Sequence, residues 1–341
     1  MDQRERALTA ASRKAPDRLP AFCGRIDDKE YWLEAFGAEN EKELRALWGL
    51  DLQKSPYAGV LRSPENKTIW GCDDNWDAGY SGAKIPPLAG ALSVKDIENH
   101  SWPTIGQVDF DEMSRQIAGL DENCARIGSI GFEALLCTLF DLFGMETAML
   151  NMHLEPRLIE ASVEKIEGFL IPAIDGILKR DAHQLDFFWW GDDFSTQRGM
   201  MVSPEMWRKF LKPTYLKVFK LIKSYDVMVW FHSCGTFRPV IGDLIDGGMD
   251  VWETVQAHLE GNDPAELKRE YGKDISFFGA INCQKTLPFG SPEDVRKEVR
   301  ERFRILGKGG GYIVGPDHSI QKNMPWQNIE ALFDEARKCS Y

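Results

Sequence analysis

Val227-Met228-Val229-Trp230-Phe231-His232-Ser233-Cys234-Gly235 runs five apolar residues straight into a polar tetrad. A run this short, without polar alternation, fits a strand covered on both faces, as in a parallel sheet flanked by helices. The tetrad then lies at the strand's C-terminal end. Along an extended backbone residues i and i+2 point the same way, so His232 and Cys234 face one point. An imidazole and a thiolate there are two of the ligands that a tetrahedral Zn²⁺ takes. Gly235 permits a tight turn into a helix expected from about Thr236. A buried histidine packed on a buried cysteine explains the pair as well.

Outward from this stretch, short apolar runs at 19–23, 125–129, 185–190, 227–232, 251–255, 275–280 and 312–314 alternate with amphipathic segments. Ser203-Pro204-Glu205 and Ser291-Pro292-Glu293 each place a Ser cap before Pro at the first helical position. Asn262-Asp263-Pro264 and Met324-Pro325 open two more helices. The alternation is that of βα units around a parallel sheet. The expected fold is α/β, a (β/α)₈ TIM barrel formed by 1–341 as one domain. Residues 30–110 are rich in Trp, Pro, Gly and Asp, as in Trp70-Gly71-Cys72-Asp73-Asp74-Asn75-Trp76. They are expected to form an irregular N-terminal elaboration over one end.

Barrel chemistry gathers where the strands end. The last run passes through Gly309-Gly310-Gly311-Tyr312-Ile313-Val314-Gly315-Pro316 into Asp317-His318. His232, Cys234 and His318 make a three-ligand set with an open fourth position, the arrangement of a catalytic zinc. His318 could instead cap a loop or meet a substrate carboxylate. Cys283, after Gly279-Ala280-Ile281-Asn282, is either a further ligand or a neighbouring thiol without a role. Asp192 and Asp193 follow Phe187-Phe188-Trp189-Trp190-Gly191. They are candidates for acid–base work or for holding a ligating histidine, against the plainer reading of a helix cap. Arg25, Trp190 and Gln256 are the expected substrate contacts, with a surface ion pair as the alternative for Arg25.

Lys plus Arg number 41 and Asp plus Glu 53, a net charge of −12, which disfavours nucleic acid and anionic membrane surfaces. With 43% hydrophobic and 28% charged residues the composition is that of a globular protein. The start Met1-Asp2-Gln3-Arg4-Glu5-Arg6 has no apolar core of a secretory signal, and no apolar run is long enough for a bilayer. Seven scattered cysteines do not form a disulfide framework, so a reduced, cytoplasmic protein is expected. A Walker loop, a dinucleotide glycine fingerprint and a Gly-x-Ser-x-Gly elbow are all absent from the sequence.

The chain resembles the uroporphyrinogen decarboxylase superfamily over nearly its whole length. Asp17-Arg18-Leu19-Pro20, Gly131-Phe132-Glu133, Leu154-Glu155-Pro156, Ser203-Pro204-Glu205, His232-Ser233-Cys234-Gly235, Phe278-Gly279-Ala280-Ile281 and the glycine-rich approach to His318 carry the likeness. The resemblance implies a (β/α)₈ barrel. The His-x-Cys-Gly element is similar to the zinc site of its corrinoid-dependent methyltransferases, where a His, a Cys and a later Cys bind the metal. His232 and Cys234 match the first two, and His318 stands where the later Cys is expected. The implied activity is methyl transfer between a small substrate, such as a methoxylated aromatic or a thiol, and a corrinoid or other methyl carrier on a partner. One alternative is metal-independent uroporphyrinogen decarboxylation assisted by Asp73, Asp74 or Asp193. Another is a non-catalytic barrel that binds metal or carrier.

Overall fold

The structure is a computed structural model and describes residues 1–73 and 85–341. In chain order its strands are β1 (Leu52–Lys54), β2 (Ala125–Ser129), β3 (Phe187–Gly191), β4 (Ser195–Thr196), β5 (Gly199–Met200), β6 (Met228–His232), β7 (Met249–Val255), β8 (Ser276–Ile281) and β9 (Tyr312–Pro316). Seven form one sheet in the order β1-β2-β3-β6-β7-β8-β9, every pair parallel. β4 and β5 make a small antiparallel hairpin beside it.

The sheet curls until both edges reach one segment. Phe22 N donates to Val314 O and Val314 N to Pro20 O, each at 2.9 Å, on the β9 side. On the β1 side Asp51 N donates to Ala21 O at 2.9 Å. Residues 19–23, expected as a full strand, thus carry a single bridge, Ala21 to Val314, and among the described residues the architecture is seven parallel strands plus a bridging segment. A second difference lies in 30–110. That stretch holds β1, a member of the sheet, along with the helices Lys29–Phe36, Glu41–Trp48 and Val94–Asn99. Asp74 and Trp76 lie outside the described residues.

Strand alternation divides the apolar residues between two layers. Leu52, Ile127, Phe187, Trp189, Trp230 and Phe278 fill the inside of the curl. Phe188, Trp190, Val229, Phe231, Trp252 and Phe277 point outward into the larger core under the helices. The helix starts follow their caps: Ser203 Oγ accepts from Met206 N ahead of Pro204–Phe210, and Ser291 makes a capping box ahead of Pro292–Leu306. Asp263 caps Pro264–Tyr271, and Pro325 precedes Trp326–Lys338. Among the described residues no single helix is long and apolar enough to cross a membrane.

Candidate active site

Register decides what meets at the C-terminal end of the sheet. Gly191 is paired with His232, and His232 with Glu253, so the tips of β3, β6 and β7 stand side by side. The chain then turns through Ser233-Cys234-Gly235, and each turn residue is held. Ser233 N donates to Glu253 O at 2.7 Å, and Cys234 N to Asp193 Oδ1 at 2.8 Å. Gly235 N donates to Gln256 Oε1 at 2.7 Å. Gly235 has φ +86°, and a Cβ there would stand 2.5 Å from Thr196 O, so the tip of the β4–β5 hairpin leaves room for glycine alone.

This scaffold brings Asp193, His232 and Cys234 together, with one ligand-type atom from each lying within 4.8 Å of the others. His232 Nε2 is 3.7 Å from Cys234 Sγ and 3.7 Å from Asp193 Oδ1. Zinc bonds of about 2.3 Å to sulfur and 2.0 Å to nitrogen put tetrahedral N and S ligands roughly 3.6 Å apart, so the spacing fits that ion. The charges also fit a cation: a thiol and two carboxylates surround one imidazole.

Glu253, which the sequence reading passed over, organises the floor beneath. Its carboxylate accepts from His232 Nδ1 at 3.0 Å, from Trp189 Nε1 at 3.0 Å and from Trp230 Nε1. That fixes the ring orientation and leaves Nε2 toward Cys234. Burial pushes the Glu253 pKa up, but the hydrogen bond and charge of His232, helped by Lys54, outweigh it and hold it at about 2. Burial opposes a charge on His232, yet Cys234, Glu253 and Asp193 together raise its pKa well above the usual value. Burial first, then the charge of Asp193, raises the Cys234 thiol. The missed signal was a glutamate two residues after the inward-facing Val251: a carboxylate inside an apolar run is rarely idle.

The other expected residues divide sharply. Asp193 belongs to the group, but Asp192 does not face it. Asp192 is fully buried and accepts from Leu135 N, Leu136 N and Cys137 N and from the Tyr215 hydroxyl, so it secures the start of helix Leu135–Phe143. Trp190 is fully buried against Tyr215, Phe219 and Phe231 in the layer under the helices. One residue earlier along β3, Trp189 has the inward parity and lies 5.5 Å from the His232 ring. Gln256 spends its amide oxygen on Gly235 and so shapes the turn. Arg25 stays at the rim in an ion pair with Asp27 at 2.7 Å.

His318 is not in the close group. Its Nδ1 lies 3.2 Å from Ser319 Oγ, and burial together with the charge on His232 lowers its pKa, so both histidines share one mouth at longer range. Cys283 is not in the group either. Its N donates to Asp317 Oδ1 and its thiol to His318 O, which places it on the β8–β9 side. Asp73 pairs with Lys67 at 2.5 Å.

The sequence pattern of the uroporphyrinogen decarboxylase (URO-D) family matches residues 121–339, more than half of the chain. The chain belongs to the URO-D family. Within it the likeness runs to the methyltransferase branch. A methylated-thiol–coenzyme M methyltransferase of Methanosarcina mazei is 23% identical over 273 residues, 77% of this chain and 67% of that protein. A uroporphyrinogen decarboxylase of Psychromonas ingrahamii is 22% identical over 193 residues, 54% of this chain and half of the decarboxylase. The solved structure of a methyltransferase from Methanosarcina mazei superimposes with a TM-score of 0.70 at 18% identity, covering 99% of both chains, and shows the same URO-D fold.

Proposed function

We propose that this URO-D protein is a zinc-dependent methyltransferase that moves a methyl group between a small substrate and a corrinoid or other methyl carrier. The observation that carries the reading is the close His232–Cys234–Asp193 group at the strand tips of a chain whose likeness runs to methyltransferases. His232 Nε2, Cys234 Sγ and Asp193 Oδ1 would hold the ion, with His318 within electrostatic reach across the mouth. When bound, zinc supplies a Lewis acid that lowers the pKa of a thiol or an oxygen. The protein's own groups do the rest. Glu253 keeps His232 in the tautomer whose Nε2 faces Cys234. Asp193 pins the Cys234 amide, and its charge, which by itself opposes loss of the Cys234 proton, would favour a cation held between them. Phe132 and Trp189, with centroids 6.0 and 5.5 Å from the His232 ring, give the mouth an apolar wall that limits water around the reacting atoms.

The test joins metal content to turnover. Purified protein is expected to carry about one zinc per chain and to change the absorbance of cob(I)alamin supplied with a methoxylated aromatic or a methylated thiol. His232→Ala should lose both. A preparation without zinc, whose turnover His232→Ala leaves intact, rejects the reading. The likeness to a decarboxylase is tested alongside it by incubation with uroporphyrinogen.

A further inference from the structure

Lys54 ends β1 and turns into the mouth. Leu52 lies inside the curl, and Gln53 points outward, where its amide oxygen accepts from Asp121 N. Lys54 therefore has the inward parity of Leu52. Its Nζ stands 4.1 Å from the centroid of the Trp189 ring, the same indole that lies 5.5 Å from His232. By those two distances the ammonium and the His232–Cys234–Asp193 group sit one indole apart.

Among the described residues Lys54 Nζ makes no hydrogen bond and no ion pair. Glu253 is the anion whose charge reaches it, but Glu253 already accepts from Trp189, Trp230 and His232. Arg25 and Arg45 add positive charge around the same point. Burial, more than any of these charges, lowers the Lys54 pKa. Lys54 is half-buried, and a structural lysine in such a place usually meets its counter-ion directly, because an ammonium with unfilled donors is costly where protein displaces water. The indole face offsets part of that cost and fills none of the donors. The Arg25 and Arg45 guanidiniums are paired with Asp27 and Glu41, so it is the unfilled donors of Lys54 that call for an anionic oxygen at the Trp189 end of the mouth.

We propose that Lys54 anchors the acid group of the molecule entering this mouth, so that the substrate is a small organic acid bound as its anion. The inference rests on reading the mouth as the methyl-transfer site. The acid would sit at Lys54, the apolar body along Phe132 and Trp189, whose rings are 6.2 Å apart, and the reacting end at His232 and Cys234.

The experiment titrates the full chain with 3-methoxybenzoate and with its neutral isostere 3-methoxybenzamide, following heat or tryptophan fluorescence. The acid should bind about tenfold or more tightly than the amide, the value of a hydrogen bond to a charged group. Lys54→Met should bring the acid down to the amide's affinity and leave the amide unchanged, whereas Lys54→Arg should retain the preference. Equal binding of acid and amide, binding of neither, or a preference that survives Lys54→Met overturns the proposal. The wild-type comparison decides even where a variant folds poorly. No methyl carrier is present, so the two readings fail separately. Acid preference without methyl transfer strikes the methyltransferase reading, and methyl transfer without acid preference strikes this one.

Discussion

Asp192 and Asp193 are adjacent, carry the same side chain, and do opposite work because strand parity turns them to opposite sides. Asp192 is sealed against the start of helix Leu135–Phe143, where three amides and the Tyr215 hydroxyl satisfy it and burial raises its pKa to about 6. Asp193 keeps 35% of its side chain exposed and turns to His232 and Cys234. Asp192→Ala strands four donors at a buried helix end and should cost about 2–4 kcal/mol, measured by urea unfolding. Asp193→Ala should cost less than about 1 kcal/mol and weaken zinc about tenfold or more in a competition with a chromophoric chelator. Wild-type stability in the first variant, or wild-type zinc affinity in the second, contradicts the division. The sequence showed two carboxylates after a strand; which one looked inward depended on a strand end one residue later than expected.

At the scale of elements, the legible parts were those with strong local signals. Runs such as Val229-Trp230-Phe231 and Phe277-Phe278 are apolar on both faces, and Ser-Pro-Glu caps announce helices, so β2, β3 and β6 to β9 were readable to within about two residues. β1 was not, because Leu52-Gln53-Lys54 has one apolar residue and owes its place to pairing with Ala125–Ile127. Lys54 was missed with it, and Glu253 stayed hidden inside a strand read only as apolar. His232 and Cys234 were legible because their proximity is local, whereas the place of His318 depends on a loop after β9. The turn from β2 into helix Leu135–Phe143 makes a pH prediction. Glu133 there accepts from Trp70 Nε1 at 2.7 Å, but burial outweighs that bond and raises its pKa to about 7. A carboxyl raised above its unfolded value adds stability that is full below about 4.5 and is lost as pH rises through 7. Between pH 5 and pH 8 the wild type should therefore lose about 2 kcal/mol relative to Glu133→Gln. Parallel urea midpoints for the two proteins across that range contradict it.

For the whole molecule, the decisive feature is that one segment joins both edges of the curled sheet, and Asp51 is the knot. It is fully buried just before β1 and accepts from Ala21 N at 2.9 Å, from Arg6 Nη1 at 2.7 Å and from Arg18 Nη2 at 3.0 Å. Burial raises its pKa against the pull of both guanidiniums, so the carboxylate is costly to bury and costlier to remove. Asp51→Ala leaves Arg6, itself buried, and Arg18 facing a hole, and it removes the bond from Ala21 N, one of the two that tie the bridging segment to the β1 edge. The expected loss is about 3–5 kcal/mol by urea unfolding, the range for breaking a buried pair by removing one partner. Arg18→Met should cost less, because Arg6 still satisfies the carboxylate. The His232–Cys234–Asp193 group hangs on β3, β6 and β7, across the curl from Asp51, so on the proposed function molecules of either variant that remain folded should bind zinc as the wild type does. Were Asp51→Ala to lose zinc affinity while keeping wild-type stability, the closure of the curl and the geometry of the site would be one structure and not two.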